Sequence, residues 1–271
     1  MAGLLSILRI STNPKYSIEI CRKIFLKIKE NGSNEYELAR TWASSQAVSW
    51  ESISTDIPQS LNVETNEYLA EQYRAGVRMS EDLKQQVDID LGGGGHVALL
   101  YALVRALKPS AALETGVAAG HSTRAILTAM DKNQRGVLYS SDFPYFRVSG
   151  GRKLIGYVVP EEIRYRWKLL TQGDRKNLKQ ILSDKYLRFE FVHYDSDKRK
   201  SSRLWFYSKI KSYLSNQYVL IFDDIQDDLS FKEIVLNESL EYVVLEWEGK
   251  FLGVILGNCP LENLFHLSLN E

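Results

Sequence analysis

The chain has only two cysteines, Cys21 and Cys259, and they lie far apart in the sequence. Two cysteines cannot build a disulfide framework, and they cannot supply a thiolate cluster for a metal ion. Sparse cysteine of this kind is typical of a reducing compartment, so we expect a cytoplasmic protein.

The chain also has no net charge and no long apolar segment. Its 34 lysines and arginines equal its 34 aspartates and glutamates, so no overall field attracts nucleic acid or an anionic membrane. The longest apolar run near the start, residues 3–8, ends at Arg9, is too short to span a membrane, and is followed by no convincing cleavage site. We therefore predict no nucleic-acid partner, no membrane span and no export.

What the chain does have is the composition of a globular protein. With 271 residues, 44% of them hydrophobic and 25% charged, it can bury a core as one large domain with an appendage or as two small domains. Residues 1–90 show helical spacing of apolar side chains and contain no motif. We predict a helical cap or oligomerisation region there, through which the chain would form a homo-oligomer, and one domain over residues 91–271.

After four consecutive glycines at residues 92–95, β-rich runs alternate with helical ones, which indicates a parallel sheet with crossover helices. Strands are predicted at residues 111–117, 136–142, 167–170, 187–194 and 218–222. The last of these is continuously apolar, as in a strand buried on both faces. Two further β runs, 242–247 and 251–256, are joined by a short turn that predicts a hairpin. The fold class is therefore α/β, with a mainly parallel sheet that finishes antiparallel.

A loop with two glycines follows the first predicted strand. Its pattern is Glu114-x-Gly116-x-x-x-Gly120, and a helix follows from His121. Glycine lets a ligand approach the backbone, and the free amides at a helix start favour carboxylates or phosphates. Asp142, at the end of the next strand, would lie beside this loop and accept both hydroxyls of a ribose. The two features predict a nucleoside site; the alternative is that the glycines serve only a tight turn.

Acidic residues end the fourth and fifth predicted strands. Asp195 follows the fourth strand, and Asp223 and Asp224 follow the fifth. If these strands are neighbours, the carboxylates converge at the carboxyl edge of the sheet, where open α/β folds bind ligands. Like charges this close need a proton or a cation among them, and oxygen ligands favour magnesium, manganese or calcium over zinc. The alternative is that these aspartates only cap the helices that follow.

The run from Leu113 to Thr123, the acid at Asp142 and the terminal hairpin resemble the class I S-adenosylmethionine-dependent methyltransferases, over residues 90–258. The resemblance implies a Rossmann-like sheet of seven strands in the order 3-2-1-4-5-7-6, with the last strand antiparallel. It also implies S-adenosylmethionine as the cofactor, with its ribose at Asp142. The cofactor-binding residues that the resemblance implies are Glu114, Gly116, Gly120, Ser122, Thr123, Asp142 and, near the adenine, Asp174.

The spacing Asp195-x-x-Lys198, followed by Asp223-Asp224, resembles the divalent-metal-dependent O-methyltransferases of the catechol and caffeoyl-coenzyme A type. This resemblance implies that the three aspartates bind a magnesium or manganese ion and that Lys198 is the general base. The sequence departs from the pattern at Asp224, where asparagine is usual, and after Lys198, where a basic pair replaces an aromatic residue. It also resembles methyltransferases of macrolide sugars and surface glycans, in which a histidine serves as base, so His193 is the alternative.

A long insertion, residues 143–166, separates the second and third predicted strands. Residues 143–180 hold nine basic and three acidic side chains, which suit an anionic substrate or form a solvated surface. We predict metal-assisted O-methylation of a small hydroxylated molecule such as a sugar or glycan precursor. One alternative is a nicotinamide- or flavin-dependent oxidoreductase, which the missing third glycine and the hairpin disfavour. The other is a non-catalytic nucleoside-binding protein.

Overall fold

An eight-stranded sheet with helices on both faces forms the body of the molecule. The computed structural model describes residues 14–29, 35–54, 57–87, 92, 94–145 and 151–259. The strands are β1 (Ala47–Ser49), β2 (Ala111–Thr115), β3 (Val137–Ser141), β4 (Trp167–Leu170), β5 (Phe189–Tyr194), β6 (Leu214–Phe222), β7 (Tyr242–Trp247) and β8 (Lys250–Gly257).

From β2 onward, the described helices alternate with the strands. They are α1 (Pro14–Lys29), α2 (Tyr36–Gln46), α3 (Trp50–Ser54), α4 (Gln59–Tyr68), α5 (Arg74–Val87), α6 (Val97–Leu107), α7 (His121–Lys132), α8 (Asp174–Ile181), α9 (Lys200–Ile210) and α10 (Ser230–Asn237). A π-helical turn, Leu69–Tyr73, joins α4 to α5, and short 3-10 turns lie at Gly151–Leu154, Glu161–Arg166, Lys211–Tyr213 and Ile225–Asp227.

The strand order is β1-β7-β8-β6-β5-β2-β3-β4. Strand β8 is antiparallel to both β6 and β7, and every other described pair is parallel. Numbered from β2, the seven later strands have the order 3-2-1-4-5-7-6, so the predicted fold and its reversed last strand are confirmed. The additional strand β1 comes from the N-terminal region and pairs with β7 at the edge of the sheet.

The central strands are apolar because both of their faces are covered. The last four residues of β6, from Val219 to Phe222, are all fully buried, as the continuous apolar run predicts. One core, on the face covered by α6 and α7, contains Val219 and Ile221. The other core, on the face covered by α8, α9 and α10, contains Leu220 and Phe222.

Helix α4 of the N-terminal region packs directly on the α6–α7 face, whereas Ala43 of α2 belongs to the core on the opposite face. Tyr68 of α4 stacks on Tyr101 of α6 with ring centroids 4.4 Å apart, and Glu64 Oε2 accepts a hydrogen bond from Arg105 Nη2 at 2.9 Å. The predicted division at residue 90 stays a prediction. Helix α1 leaves Ile18 and Phe25 exposed, and the predicted self-association through this region also stays a prediction. In the described part of the chain, no helix combines the length and apolarity that a bilayer crossing requires.

Candidate active site

The loop between β2 and α7 crosses the carboxyl edge of the sheet in close contact with its neighbours. Gly116 has a φ of 83°, and a Cβ at this position would overlap the carbonyl oxygen of Asp195, so the position requires glycine. Its amide donates a hydrogen bond to the carbonyl oxygen of Ser141 at 2.9 Å. Gly120 packs so closely on the insertion that a Cβ would lie 2.8 Å from the Cα atom of Gly156. The loop is therefore enclosed by β3, β5 and the insertion.

The insertion supports the loop from outside. The amides of Gly156 and Val158 donate to the carbonyl oxygens of Ala118 and Ala119 at 2.9 and 3.0 Å. Val158 is fully buried there. Residues 151–166 of the insertion thus pack against the glycine loop, whereas residues 146–150 lie outside the described residues.

Glu114 is fully buried beneath the loop. Its carboxylate accepts hydrogen bonds from the hydroxyls of Ser122 at 2.7 Å, Thr123 at 2.7 Å and Ser140 at 2.8 Å. A buried carboxylate with three donors is satisfied within the chain. These contacts fasten the first turn of α7 to β2 and β3, and the predicted cofactor contacts of Glu114, Ser122 and Thr123 stay predictions.

Asp142 lies beside the loop, as its place at the end of β3 predicts. One oxygen accepts from the amides of Val117 at 3.1 Å and Ala118 at 2.8 Å, and the other accepts from the amide of Phe143 at 2.5 Å. Burial raises the pKa of the carboxyl to about 6, although these three N–H donors oppose the rise. Asp142 therefore changes charge close to neutral pH and sets the shape of the loop.

Asp174, the first residue of α8, joins three strand ends at the same edge. It accepts from the hydroxyls of Ser141 at 2.6 Å and Ser196 at 2.7 Å. Ser141 ends β3, and Ser196 follows β5. Asp174 is thus next to the predicted cofactor region, and its contact with an adenine stays a prediction.

A cluster of three potential metal ligands follows on the other side of the loop. One ligand atom each from His193, Asp195 and Asp223 can be chosen so that all lie within 4.8 Å of one another. His193 is fully buried, with Nε2 3.7 Å from Asp223 Oδ2 and Nδ1 3.9 Å from Glu114 Oε1. Among the described residues neither ring nitrogen has a hydrogen-bond partner. Two carboxylates around an unsatisfied imidazole fit a small divalent cation.

Asp224 lies apart from this cluster, although the sequence groups it with Asp195 and Asp223. Its backbone is left-handed, with a φ of 52°, and its carboxylate is 2.8 Å from Lys198 Nζ and 3.6 Å from Lys250 Nζ. Lys198 also contacts Asp195, so its ammonium bridges the two aspartates. The structure therefore places His193 in the tight cluster with Asp195 and Asp223, and Asp224 on the other side of the Lys198 ammonium.

Comparisons with known proteins agree with this fold. Residues 113–225 match a family model described as a methyltransferase domain. Residues 113–225 therefore form a methyltransferase domain. The matched residues begin in β2, just before the glycine loop, and end at Ile225, just after the acidic pair, so they include the glycine loop and the cluster.

The methyltransferase domain also has structural neighbours with little sequence identity. An O-methyltransferase from Bacillus cereus in complex with SAH is 16% identical, with a TM-score of 0.53, over 75% of this chain and 99% of that one. The O-methyltransferase TomG from Streptomyces achromogenes, involved in tomaymycin synthesis and in complex with SAM, is 14% identical, with a TM-score of 0.55, over 68% of this chain and 89% of that one. At these identities the likeness concerns the fold. No curated protein matches the chain.

Electrostatics in the cluster favour positive charge. Burial alone would lower the pKa of His193, but Asp223 and Glu114 outweigh burial and raise it to about 10. Burial likewise opposes the charge of Lys198, yet the neighbouring carboxylates raise its pKa to about 12. The same positive groups lower the pKa of Asp223 against the effect of burial. The positive charges of Lys198 and His193 therefore compensate part of the negative charge of the neighbouring carboxylates.

Asp195 differs from the other two carboxylates of the candidate site. Burial and the nearby Asp223 raise its pKa to about 7, and Lys198 and His193 counteract only part of this rise. In Asp224 the effect of Lys198 outweighs burial, and its pKa is lowered. A proton or a cation is thus needed between Asp195 and Asp223, as the sequence predicts for two adjacent carboxylates.

Three residues beside the candidate site have no motif that would reveal them in the sequence. Gly95 packs against the cluster, because a Cβ there would lie 2.7 Å from Asp223 Oδ2. Burial and the charges of Asp142 and Asp195 raise the pKa of the Tyr145 phenol. Arg203, on α9, is fully buried behind the acidic pair. The glycine run and the aromatic insertion are visible in the sequence as features, but their positions beside the acids are not.

Proposed function

We propose that this methyltransferase transfers its methyl group to a hydroxyl of a small molecule with the assistance of a divalent cation. One observation supports this most strongly: the cluster of His193, Asp195 and Asp223 adjoins the glycine loop, with Gly116 packed on the backbone of Asp195. A methyl donor at the loop and a hydroxyl at the cluster would meet in one crevice at the carboxyl edge.

The residues around the loop fit S-adenosylmethionine, whose sulfonium supplies an electrophilic methyl group. Asp142 keeps acceptor capacity beyond the three amides it binds, because an ionised carboxylate offers about four lone-pair sites. We infer that Asp142 holds the ribose hydroxyls, that Gly116 and Gly120 back the methionine part, and that Asp174 lies towards the adenine.

The cluster fits magnesium or manganese, and its imidazole favours manganese of the two. His193, Asp195 and Asp223 would hold the ion, and Asp224 would act through Lys198. A bound cation would lower the pKa of the substrate hydroxyl. The two His193 nitrogens without partners among the described residues support this assignment, since one of them would become a ligand.

Lys198 is the better candidate for the general base, and His193 is the alternative. The Lys198 side chain is 32% exposed, whereas the His193 side chain is 0% exposed and its imidazole is assigned to the cation. The carboxylates that raise the Lys198 pKa would be neutralised by a cation, which removes the main cause of the rise. We therefore propose that the His193 imidazole binds the cation and that the Lys198 amine accepts the proton from the substrate hydroxyl.

The substrate is proposed to be a small hydroxylated molecule, such as a sugar or glycan precursor, with an anionic group. Lys250 supports the anionic group, because it lies at the rim beside Asp224 with 66% of its side chain exposed. Arg164 and Arg166 of the basic insertion are instead used internally, by the carbonyl of Val159 and by Asp131. The cytoplasmic location expected from the cysteines is part of the same proposal.

Two experiments test the proposed function in sequence. Calorimetric titration with S-adenosylmethionine separates a methyltransferase from a nicotinamide- or flavin-dependent oxidoreductase, which would bind its own dinucleotide instead. Methyl transfer to sugars and vicinal diols is then measured with EDTA, magnesium or manganese present. We expect turnover only with a cation, and its loss in Asp195→Asn with cofactor affinity retained. Asp184→Asn, at an exposed aspartate, is the matched control. Equal turnover with EDTA and manganese would refute the role of the cation.

A further inference from the structure

Arg203 is a fully buried arginine behind the acidic pair at the end of β6. Its Nη2 atom donates to the carbonyl oxygens of Asp223 and Asp224, both at 2.9 Å. An arginine without solvent contact is uncommon, because its charge must be compensated and its donors must find acceptors. Two consecutive backbone carbonyls therefore converge on one guanidinium nitrogen.

The surroundings of Arg203 compensate its charge. Its Nη1 atom is 3.5 Å from Asp228 Oδ2, and its Nη2 atom is 3.9 Å from Asp227 Oδ2. Both aspartates belong to the segment that follows Asp224, so one guanidinium contacts the backbone and the side chains of the same turn. The turn is thereby held to α9 from its inner side.

The contact of Arg203 with this turn fixes the directions in which the Asp223 and Asp224 side chains point. Asp224 has a φ of 52°, a strained conformation for an aspartate that its surroundings must maintain. With both carbonyls drawn towards Arg203, the Asp223 carboxylate lies at His193 and the Asp224 carboxylate lies at Lys198. A turn free to relax would no longer separate them in this way.

We propose that Arg203 is a positioning residue for the cation site, through the backbone of Asp223 and Asp224. The inference depends on the proposed function, since it concerns the cation assigned there. Arginine suits this role better than lysine, because its planar fork has five donors and stays charged when buried. Residues that orient metal ligands typically contribute about 10- to 100-fold to metal affinity.

The test measures the Mn²⁺ affinity of the full chain by electron paramagnetic resonance, and S-adenosylmethionine affinity by calorimetry. Arg203→Lys keeps the charge but cannot bridge two carbonyls and two carboxylates, so Mn²⁺ affinity should fall about tenfold or more while cofactor affinity is unchanged. The double variant Arg203→Gln with Asp228→Asn removes the charge together with the carboxylate it would leave unpaired. It should lose the same Mn²⁺ affinity, and it provides a second folded protein to measure.

Arg124→Lys is the matched control. Arg124 is also an almost fully buried arginine that donates to a backbone carbonyl, that of Val158 at 2.8 Å, but it lies away from the acidic pair. Its variant should keep wild-type Mn²⁺ affinity. Unchanged Mn²⁺ affinity in the Arg203 variants, or an equal loss of Mn²⁺ and cofactor affinity, would overturn the positioning role alone. No Mn²⁺ binding by the wild-type chain would overturn the metal-assisted function and this role with it.

Discussion

The Nε2 atom of His193 lies 3.7 Å from the Oδ2 atom of Asp223, too far for a hydrogen bond. Two ligands of one octahedral ion with bonds of about 2.1 Å are about 3.0 Å apart when adjacent and about 4.2 Å apart when opposite. The separation in this site lies within that interval. This spacing is compatible with the proposed role of His193 and Asp223 as ligands of one small cation.

His193→Asn tests this assignment. An amide oxygen is a weaker ligand than an imidazole nitrogen for manganese, so we expect Mn²⁺ affinity to fall about tenfold or more. Cofactor affinity should stay the same, because His193 does not reach the glycine loop surface. If His193 were only the base, the variant would bind Mn²⁺ as well as the wild type and lose turnover alone.

Gly116→Ala should strongly destabilise the domain. The new Cβ would overlap the carbonyl oxygen of Asp195, and the φ of 83° disfavours any residue but glycine. We expect the free energy of unfolding to fall by about 3 kcal/mol or more, measured by denaturant titration, with loss of cofactor binding.

Gly249→Ala separates the two causes of that effect. Gly249 has a similar φ of 76°, but a Cβ there would meet nothing within 4 Å. Its variant should lose only about 1 kcal/mol, the cost of the backbone conformation. Equal losses in the two variants would mean that the contact between Gly116 and Asp195 is unimportant.

Cofactor affinity should depend on pH through Asp142. Its pKa is raised to about 6, so the carboxylate that would accept the ribose hydroxyls is lost below this pH. We expect the dissociation constant of S-adenosylmethionine to rise about tenfold from pH 7 to pH 5, measured by calorimetry. In Asp142→Asn the affinity should be low and nearly constant over this range, and a wild-type affinity that is constant as well would contradict the assignment.

The raised pKa of Asp142 also makes folding stability depend on pH, but in the opposite direction from cofactor affinity. The folded pKa of Asp142 is higher than its ordinary value of 3.8, so the native state binds more protons between pH 4 and 6. The stability that this group contributes therefore falls as the pH rises through that window. Asp142→Asn should show a shallower decrease of the free energy of unfolding there.

Glu64 should anchor the N-terminal region to α6. Its carboxylate binds Arg105 and the hydroxyl of Tyr101, and the Arg105 hydrogen bond, opposed by partial burial, lowers its pKa to about 2. Since its side chain is 22% exposed, we expect Glu64→Gln to cost about 1–2 kcal/mol of unfolding free energy at pH 7. Glu67→Gln, on the exposed side of the same helix, should cost almost nothing. If the two variants were equally stable, the N-terminal region would not depend on this contact.

The topology of the sheet is predictable from the sequence because its strands are buried runs separated by helices. Strand β1 is not predictable from the sequence, because three residues are too few to show a periodic pattern. Its pairing with β7 depends on tertiary packing. The convergence of Asp195 with Asp223 follows from the strand order. The register agrees with it, because Tyr194 is paired with Phe222 and each aspartate is the next residue along its chain segment.

The positions of His193 and Asp224 illustrate what the sequence leaves open. His193 and Asp195 are two residues apart along β5, so a strand geometry that continued past Tyr194 would turn them to the same side of the sheet. That spacing is a usable signal for a shared ligand role. Asp224 leaves the cluster because its backbone turns left-handed against Arg203, a contact between residues 21 positions apart that no local pattern contains.

We propose that the glycine loop and the acidic cluster serve one reaction. The decisive measurement is the nuclear relaxation of the sulfonium methyl group of S-adenosylmethionine, bound to the wild-type chain and titrated with Mn²⁺. We expect strong paramagnetic relaxation of this methyl, abolished in Asp195→Asn although the cofactor still binds. If the methyl relaxation of bound cofactor did not respond to Mn²⁺, or responded equally in the variant, the loop and the cluster would not share a reaction.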